Sequence, residues 1–318
     1  MTLQRKSQRM PLHGVLLLDK PAGMSSTQAL AKAKWLLNAQ KAGHTGTLDP
    51  FATGLLPLCF GEATKFAQDL LDADKTYEAV VHLGVTTTTG DTEGEVVESR
   101  PVEVSIQQIE LVLAQFCGPI RQVPPMYSAL KRDGKPLYEY ARQGVTLERE
   151  ARSVIIHQLD LLSYDEPYIK LRVTSSKGTY VRVLGEDIGK ALGCGAHLKA
   201  LRRTGVGGLS LDDAVSLADL AALGECRSNA LKPLDALLST LPTIELNDEL
   251  ARRFMCGQRL SLIKEAHTTL LKDTETRVKV TDIYGRLLGV ATLSLESLLT
   301  AERLVSSVER DDNILPKR

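Results

Sequence analysis

The chain has 318 residues (34.7 kDa), of which 43% are hydrophobic and 25% charged, with 39 basic side chains balanced by 39 acidic ones. That length accommodates two domains with real cores, and the zero balance excludes a uniformly basic nucleic-acid tail or an acidic solvating chain. No apolar run approaches the ~18 residues of a membrane helix. The apolar stretch at 15–18 is too short for a signal-peptide core, and five cysteines at least 30 residues apart, with no CxxC pair, read as reduced thiols of a cytoplasmic protein.

Residues 14–18 are expected to form a strand that ends in the turn Pro21-Ala22-Gly23. Ser25 or Ser26 then makes a good N-cap, its hydroxyl accepting from an unpaired first-turn amide. Leu30, Ala33 and Leu37 follow at helical spacing and predict a helix over 26–38. Residues 76–83 alternate, with Tyr77, Ala79, Val81 and Leu83 on one face of a strand. Ile169, Leu171 and Val173 repeat the pattern against Lys170, Arg172 and Thr174. Past Gly178, Leu184, Ile188 and Leu192 predict a helix from about Tyr180. Strands interleaved with helices indicate a mixed sheet covered by helices on one side.

Two segments break this rhythm. Residues 121–153 hold Pro124-Pro125, Gly134, Pro136, Gly144 and three tyrosines (Tyr127, Tyr138, Tyr140) with little core pattern, and read as an insertion projecting from the sheet. A boundary falls near Leu241-Pro242. Beyond it, Val278, Val280 and residues 287–292 flank the turn at Tyr284-Gly285, a hairpin signal in a short β-rich module.

Charge is uneven. Residues 72–98 carry a net of −6, residues 121–153 a net of +3 and residues 176–205 a net of +4. The two basic segments are either ordinary solvated charges or, if they fold together, one phosphate-facing surface.

The densest anomaly is Gly43-His44-Thr45-Gly46-Thr47-Leu48-Asp49-Pro50-Phe51-Ala52-Thr53-Gly54. Three glycines and a proline in twelve positions specify a tight loop. Pro50 biases Asp49 away from the α region, and Leu48, Phe51, Leu55 and Leu56 surround it with apolar side chains. A carboxylate there is costly unless something uses or pairs it. Taken alone, such an aspartate also suits a helix cap. A phosphate-cradling loop fits poorly, because Thr53-Gly54 runs into Leu55 where Lys-Ser/Thr is needed.

This loop closely resembles the catalytic motif of the bacterial tRNA pseudouridine-55 synthases of the TruB type. The segment from Gly14 through Lys20-Pro21 to Ser26 is similar to the family's N-terminal motif, and Lys75-Thr76-Tyr77 to its Lys-x-Tyr strand. Residues 124–131 with Gly134 and Tyr138 resemble its tRNA-gripping insertion, and residues 176–182 and 196–203 its last catalytic motifs. Together these span residues 14–203 in the family's order. Phe254-Met255-Cys256-Gly257-Gln258 and the hairpin at Tyr284 look like a small PUA-like RNA-binding module.

The resemblance implies an α+β pseudouridine synthase fold with a mixed, mainly antiparallel sheet flanked by helices. It implies a catalytic domain at 1–245, interrupted by an RNA-binding insertion at 121–153, and a PUA-like domain at 246–318. Asp49 would be the catalytic aspartate, Tyr77 would stack on the flipped uridine and serve proton removal, and Arg182 would pair with Asp49. Tyr180 would line the base pocket, His44 would fill the space left by the extruded nucleotide, and Leu201 would close the pocket. Lys20 and Pro21 would buttress the loop, and Lys131 and Arg132 would grip RNA.

The implied reaction breaks the N1–C1′ bond of a uridine, turns the uracil and closes a C5–C1′ bond. Nothing is oxidised or transferred to another molecule, so neither a cofactor nor a metal is expected. The expected partner is the tRNA T arm, with no membrane and no obligatory protein partner. A synthase acting on another RNA, or an RNA-folding protein with secondary synthase activity, are the alternatives.

Overall fold

The expected first strand and helix are present as β1 (Gly14–Lys20) and α1 (Ser26–Leu36) in a computed structural model that describes residues 9–264 and 274–306. The Ser25 side chain accepts from the Gln28 amide while the Gln28 side chain accepts from the Ser25 amide, a capping box that starts the helix. β2 (Ala42–His44), β3 (Thr53–Phe60), α2 (Ala67–Asp72) and β4 (Lys75–Leu83) follow. The hairpin β5 (Val85–Thr87) and β6 (Val96–Ser99) leads through α3 (Ile106–Gln115) to β7 (Gly118–Gln122). A small excursion, β8 (Lys131–Arg132), β9 (Lys135–Pro136) and α4 (Leu137–Ala141), precedes the long antiparallel pair β10 (Arg152–Asp165) and β11 (Tyr168–Ser175). α5 (Val181–Ala191), β12 (Ala196–Val206), β13 (Leu209–Ser210), β14 (Val215–Ser216) and α6 (Leu217–Ala222) complete the larger unit.

Ten strands make one sheet in the order β14-β1-β3-β12-β4-β11-β10-β7, with β2 on β3 and β13 on β12. Only β1–β14 and β3–β12 run parallel, so the sheet is mixed and mainly antiparallel. The alternation expected in β4 and β11 is realised: Tyr77, Ala79, Val81 and Leu83 face the core with Ile169, Leu171 and Val173. Helices α1, α3, α5 and α6 cover that face through Ala29, Ala33, Ile109, Leu113, Leu184, Ile188 and Leu220. α5 lies directly on β12 because Gly189 has no side chain; a Cβ there would sit 2.4 Å from the Ala196 nitrogen.

Cover on one side only describes part of the sheet. Val15, Leu17, Leu55 and Cys59 on the reverse face of β1 and β3 are buried against Phe66, Leu70 and Leu237. Strands buried on both faces read as continuous apolar runs, which explains the unbroken Val-Leu-Leu-Leu of β1.

The chain then builds a five-stranded sheet from β15 (Thr243–Leu246), α7 (Asp248–Met255), β16 (Leu260–Ser261), β17 (Thr276–Asp282), β18 (Leu287–Leu293) and β19 (Leu298–Leu304), ordered β15-β17-β18-β19-β16. β15 pairs parallel with β17, so by strand pairing residues 243–245 go with this sheet and not with the larger one. Residues 1–8, 265–273 and 307–318 of the expected domains lie outside the described residues. The hairpin at Tyr284-Gly285 joins β17 to β18, its turn held by the Asp282 carboxylate accepting from the Tyr284 and Arg286 amides. Val290 and Val305 join the reverse-face core of the large sheet, and Arg277 pairs with Asp69 across the junction.

The parallel contact of β3 with β12 is unusually close at Gly54, which has φ +99°; a Cβ there would lie 2.3 Å from the Arg203 carbonyl oxygen. Gly54→Ala is therefore expected to cost more than ~2 kcal/mol, combining backbone strain with a clash no rotamer relieves. Thermal unfolding checks this, and a variant melting within a degree of wild type would contradict it.

Candidate active site

The loop between β2 and β3 hangs from the β1–α1 turn. The Ser26 hydroxyl donates to the Leu48 carbonyl at 3.0 Å and accepts from the Leu48 amide at 2.8 Å. Of the two candidate capping serines, Ser25 caps the helix and Ser26 clamps the loop. Lys20 is fully buried, and its ammonium donates to the carbonyls of Met24 at 2.6 Å, Pro21 at 2.9 Å and Pro50 at 3.3 Å. The Gly23 amide adds a second bond to Pro50 at 2.8 Å. Burial pulls the Lys20 amine down to about 8, while the nearby Asp49 carboxylate holds it up. Pro21, exposed itself, contributes only its carbonyl.

Asp49, one residue past the clamp, points its carboxylate at Arg182, whose Nε donates at 2.9 Å. Arg182 lies in the first turn of α5, where a cation opposes the helix dipole unless an anion answers it. Its side chain is 4% exposed against 36% for Asp49, so the cation is sealed in while the carboxylate keeps an open face. The other guanidinium nitrogens donate to the Thr89 carbonyl at 2.9 Å and the Tyr127 carbonyl at 2.6 Å, and Asp91 lies 3.5 Å away. Burial pushes the Asp49 carboxyl above its usual range; Arg182 works against that rise and Asp91 adds to it.

The remaining expected residues sit on elements around this pair. Tyr77 is on β4, 9% exposed, in register with Arg203 of β12 and Val173 of β11. Tyr180 immediately precedes α5. The Gln122 side chain accepts from its amide at 3.0 Å and donates to its carbonyl at 3.3 Å, and burial pushes its phenol up. Leu201 is buried on β12. His44 on β2 has a buried Nδ1 with no hydrogen-bond partner among the described residues, and burial and then Arg203 pull its imidazole down. Lys131 and Arg132 are exposed on the β8–β9 hairpin and enter none of these contacts. The insertion they belong to is not wholly outside the site, since its root supplies the Tyr127 carbonyl.

Four contributors were missed by sequence reasoning: Ser26 as a clamp, Gln122, Asp91 and Arg203. Asp91 carried a signal, because Gly90-Asp91-Thr92-Glu93-Gly94 brackets acids with glycines as the Asp49 loop does. It is 2% exposed and accepts from the Thr89 hydroxyl at 2.5 Å and the Glu93 amide at 2.9 Å. Among the described residues no group of three or more His, Cys, Asp or Glu side chains is placed to hold a metal ion.

An aspartate at a loop apex paired with a buried arginine, on a mixed sheet with an inserted excursion, is the arrangement that the resemblance to pseudouridine synthases implies. Residues 34–181 match the N-terminal domain of TruB family pseudouridylate synthases, residues 182–242 the C-terminal domain of tRNA pseudouridylate synthase B, and residues 242–305 the C-terminal part of pseudouridine synthase II TruB. The chain belongs to the TruB family of pseudouridine synthases. It is 58% identical over 309 residues to tRNA pseudouridine synthase B of Ralstonia pickettii (95% of this chain, 96% of that protein). It is 61% identical over 298 residues to the protein of the same name from Burkholderia mallei (93% and 98%). A chain of the crystal structure of a Cbf5–Nop10–Gar1 complex superposes with a TM-score of 0.73 at 27% identity, covering 92% of this chain and 85% of that one. A chain of an archaeal box H/ACA Nop10–Cbf5 complex gives 0.69 at 25%, covering 92% and 86%.

Glu186, one turn beyond Arg182, packs its carboxyl on Gly90, where a Cβ would sit 2.8 Å from the Glu186 Cδ. Burial pushes that carboxyl up to about 7, with Arg182 opposing and Asp187 and Asp91 reinforcing. A carboxyl raised by folding contributes stability that is present below its ordinary range and lost as pH rises through about 7. Glu186→Gln should melt like wild type at pH 5 and about 2–4 °C above it at pH 8.5. Equal melting temperatures at both pH values would show that Glu186 is not confined.

Proposed function

We propose that the protein isomerises the T-arm loop uridine of tRNA at position 55 to pseudouridine in the cytoplasm, as a stand-alone enzyme with Asp49 as its catalytic group. The observation that carries this reading is the Asp49–Arg182 pair, a carboxylate with one open face fixed by a sealed guanidinium. Glycosidic cleavage passes through an oxocarbenium-like state that an adjacent carboxylate stabilises or traps. Every route needs the carboxylate ionised: as nucleophile at C1′ or at uracil C6, or as the base that takes the C2′ proton as uracil leaves to form a glycal. Burial favours its protonated form, and Arg182 opposes that tendency. The apolar flank of Leu48, Phe51 and Ala52 suits a reaction in which water would hydrolyse the open ribose irreversibly.

The target base lies in a folded RNA loop, and extruding it costs on the order of a few kcal/mol. A ring such as Tyr77 returns ~1–3 kcal/mol by stacking, with Tyr180 and Leu201 walling the pocket, His44 filling the vacated space and phosphate contacts supplying the remainder. The β8–β9 hairpin, with Lys131 and Arg132 exposed and the positive-φ pair Asp133-Gly134 at its tip, suits a backbone grip. The names of the 58–61% identical relatives support tRNA over another RNA, and the PUA-like module supports a second RNA contact.

Asp49→Asn should leave the fold and tRNA affinity nearly intact while single-turnover rates fall more than ~10⁴-fold, as for loss of a nucleophile. A variant retaining a tenth of the wild-type rate would sink the assignment. Charge reversal of Lys131 and Arg132 together should raise KM for tRNA and flatten the salt dependence of binding by ~2 in slope, with little effect on turnover of bound substrate. An unchanged salt slope with a collapsed chemical rate would assign the hairpin to the active site.

A further inference from the structure

β7 ends at Gln122, where the edge strand of the large sheet gives way to the insertion. Ile120 and Gln122 take inward positions on that strand, on either side of the exposed Arg121. Ile120 packs on the core, but the next inward position holds an amide that is 2% exposed. An apolar side chain suits such a place, and a polar one is costly unless its groups are hydrogen-bonded. Both polar atoms of this amide serve one residue. Oε1 accepts from the Tyr180 amide at 3.0 Å, and Nε2 donates to the Tyr180 carbonyl at 3.3 Å. Tyr180 is extended, with φ −101° and ψ 105°. Its own N–H and C=O therefore open to the same side, and the Gln122 side chain answers them as a neighbouring antiparallel strand would. Tyr180 occupies the N-cap of α5 yet supplies no side-chain cap. Ser, Thr, Asp and Asn are favoured there, so the tyrosine does nothing for the helix, and the chain entering α5 is held from outside.

We infer that Gln122 is a positioning residue of the base pocket: by bonding both peptide groups of Tyr180 it fixes the direction in which the phenol ring leaves the main chain. The inference rests on the reading of Tyr180 as a wall of that pocket. With its N–H and C=O both tied, the Cα–Cβ bond of Tyr180 has one direction, and only side-chain torsions are left to the ring. Two residues on, Arg182 Nη2 donates to the Tyr127 carbonyl at 2.6 Å. The neck of the insertion, residues 122–127, thus holds the pocket wall and the partner of Asp49 by neighbouring bonds. The neck leads on to the β8–β9 hairpin, where the Tyr138 amide donates to the Ser128 carbonyl at 3.1 Å and the Leu137 amide to the Leu130 carbonyl at 2.7 Å. A misplacement of ~1 Å at a site can cost ~100-fold in rate. The hold on Tyr180 therefore bears on turnover of bound RNA more than on affinity for it.

The full chain carrying Gln122→Met, Gln122→Glu, Tyr180→Leu, or Gln122→Met with Tyr180→Leu is compared with wild type. Single-turnover pseudouridine formation at saturating enzyme, tRNA affinity and thermal unfolding are measured for each. Gln122→Met matches the side chain in length and makes neither bond; it should lower the chemical rate by about 30-fold with tRNA affinity within about threefold. In the Tyr180→Leu background the same change should cost less than about threefold, because the ring that Gln122 aims is gone. Gln122→Glu adds a readout that a merely structural loss would not move. Its protonated carboxyl accepts from the Tyr180 amide and donates to the Tyr180 carbonyl, whereas the carboxylate only accepts. Its rate should therefore lie within about threefold of wild type at about pH 5.5 and about 30-fold below wild type at about pH 8.5. A Gln122→Met variant as fast as wild type would overturn the inference and leave the reading of Tyr180 standing. Equal losses in both backgrounds, with Tyr180→Leu itself impaired, would do the same. A fully active Tyr180→Leu would overturn that reading and the inference with it, and a wild type that leaves tRNA unmodified would overturn the proposed function as well. Where Gln122→Met fails to fold, Gln122→Glu decides, and a rate ratio to wild type that is flat across the two pH values would overturn the inference.

Discussion

A guanidinium buried to 4% exposure must have its donors answered, and the answers to Arg182 come from three separate stretches of chain: Asp49, Thr89 with Asp91, and Tyr127. Removing one partner of a buried ion pair typically costs ~3–5 kcal/mol, because the other charge is left stranded. The Asp49 loop and the Asp91 turn each have hydrogen bonds of their own. The cation turns them into a single object. The Asp49 loop, the turn at Thr89–Asp91 and the root of the insertion all meet at it. The sheet beneath sets where the arginine starts from, since α5 rests on β12 at glycine contact distance.

The two arginines divide the work. Arg182 faces the carboxylate from the helix side, where Asp49 and Asp91 balance its charge. Arg203 supports the same loop from below, through carbonyl oxygens alone. Lys20 does for the far side of the loop what Arg203 does for the near side, donating to Pro50 and the β1–α1 turn. Three buried cations thus surround a loop with one carboxylate. Burial pushes the Asp49 carboxyl up, and the charges of Arg182 and Lys20 oppose that rise.

How much of this could be read from the residues follows from the range of the interactions. β4 and β11 were legible because alternation is a local property of a strand with one buried and one more open face. The Asp49 loop was legible because glycine and proline constrain the backbone within a few residues. β1 and β3, buried on both faces, lose the alternation, and their second cover comes from residues 66–70, 237 and beyond 290. Arg203 was invisible for a similar reason. Its partners are carbonyl oxygens 148 and 157 residues away in sequence, and a carbonyl acceptor leaves no mark on residue type. Gln122 and Ser26 likewise bind backbone, at separations of 58 and 22 residues. Asp91 differs, since its glycine-bracketed turn was visible and only its partner was not.

The junction between the two sheets bears on what a truncated chain would report. Val290 and Val305 are part of the same apolar layer as Val15, Leu17 and Leu55, which back the strands flanking the Asp49 loop. Arg277 and Lys279 of β17 reach across to Asp69 and Asp235. A fragment ending near residue 242 would therefore keep Asp49, Tyr77 and Arg182 and yet open a greasy seam behind β1 and β3. Its behaviour would measure a loosened floor beneath the Asp49 loop. The smaller sheet is a wall on which the larger one leans.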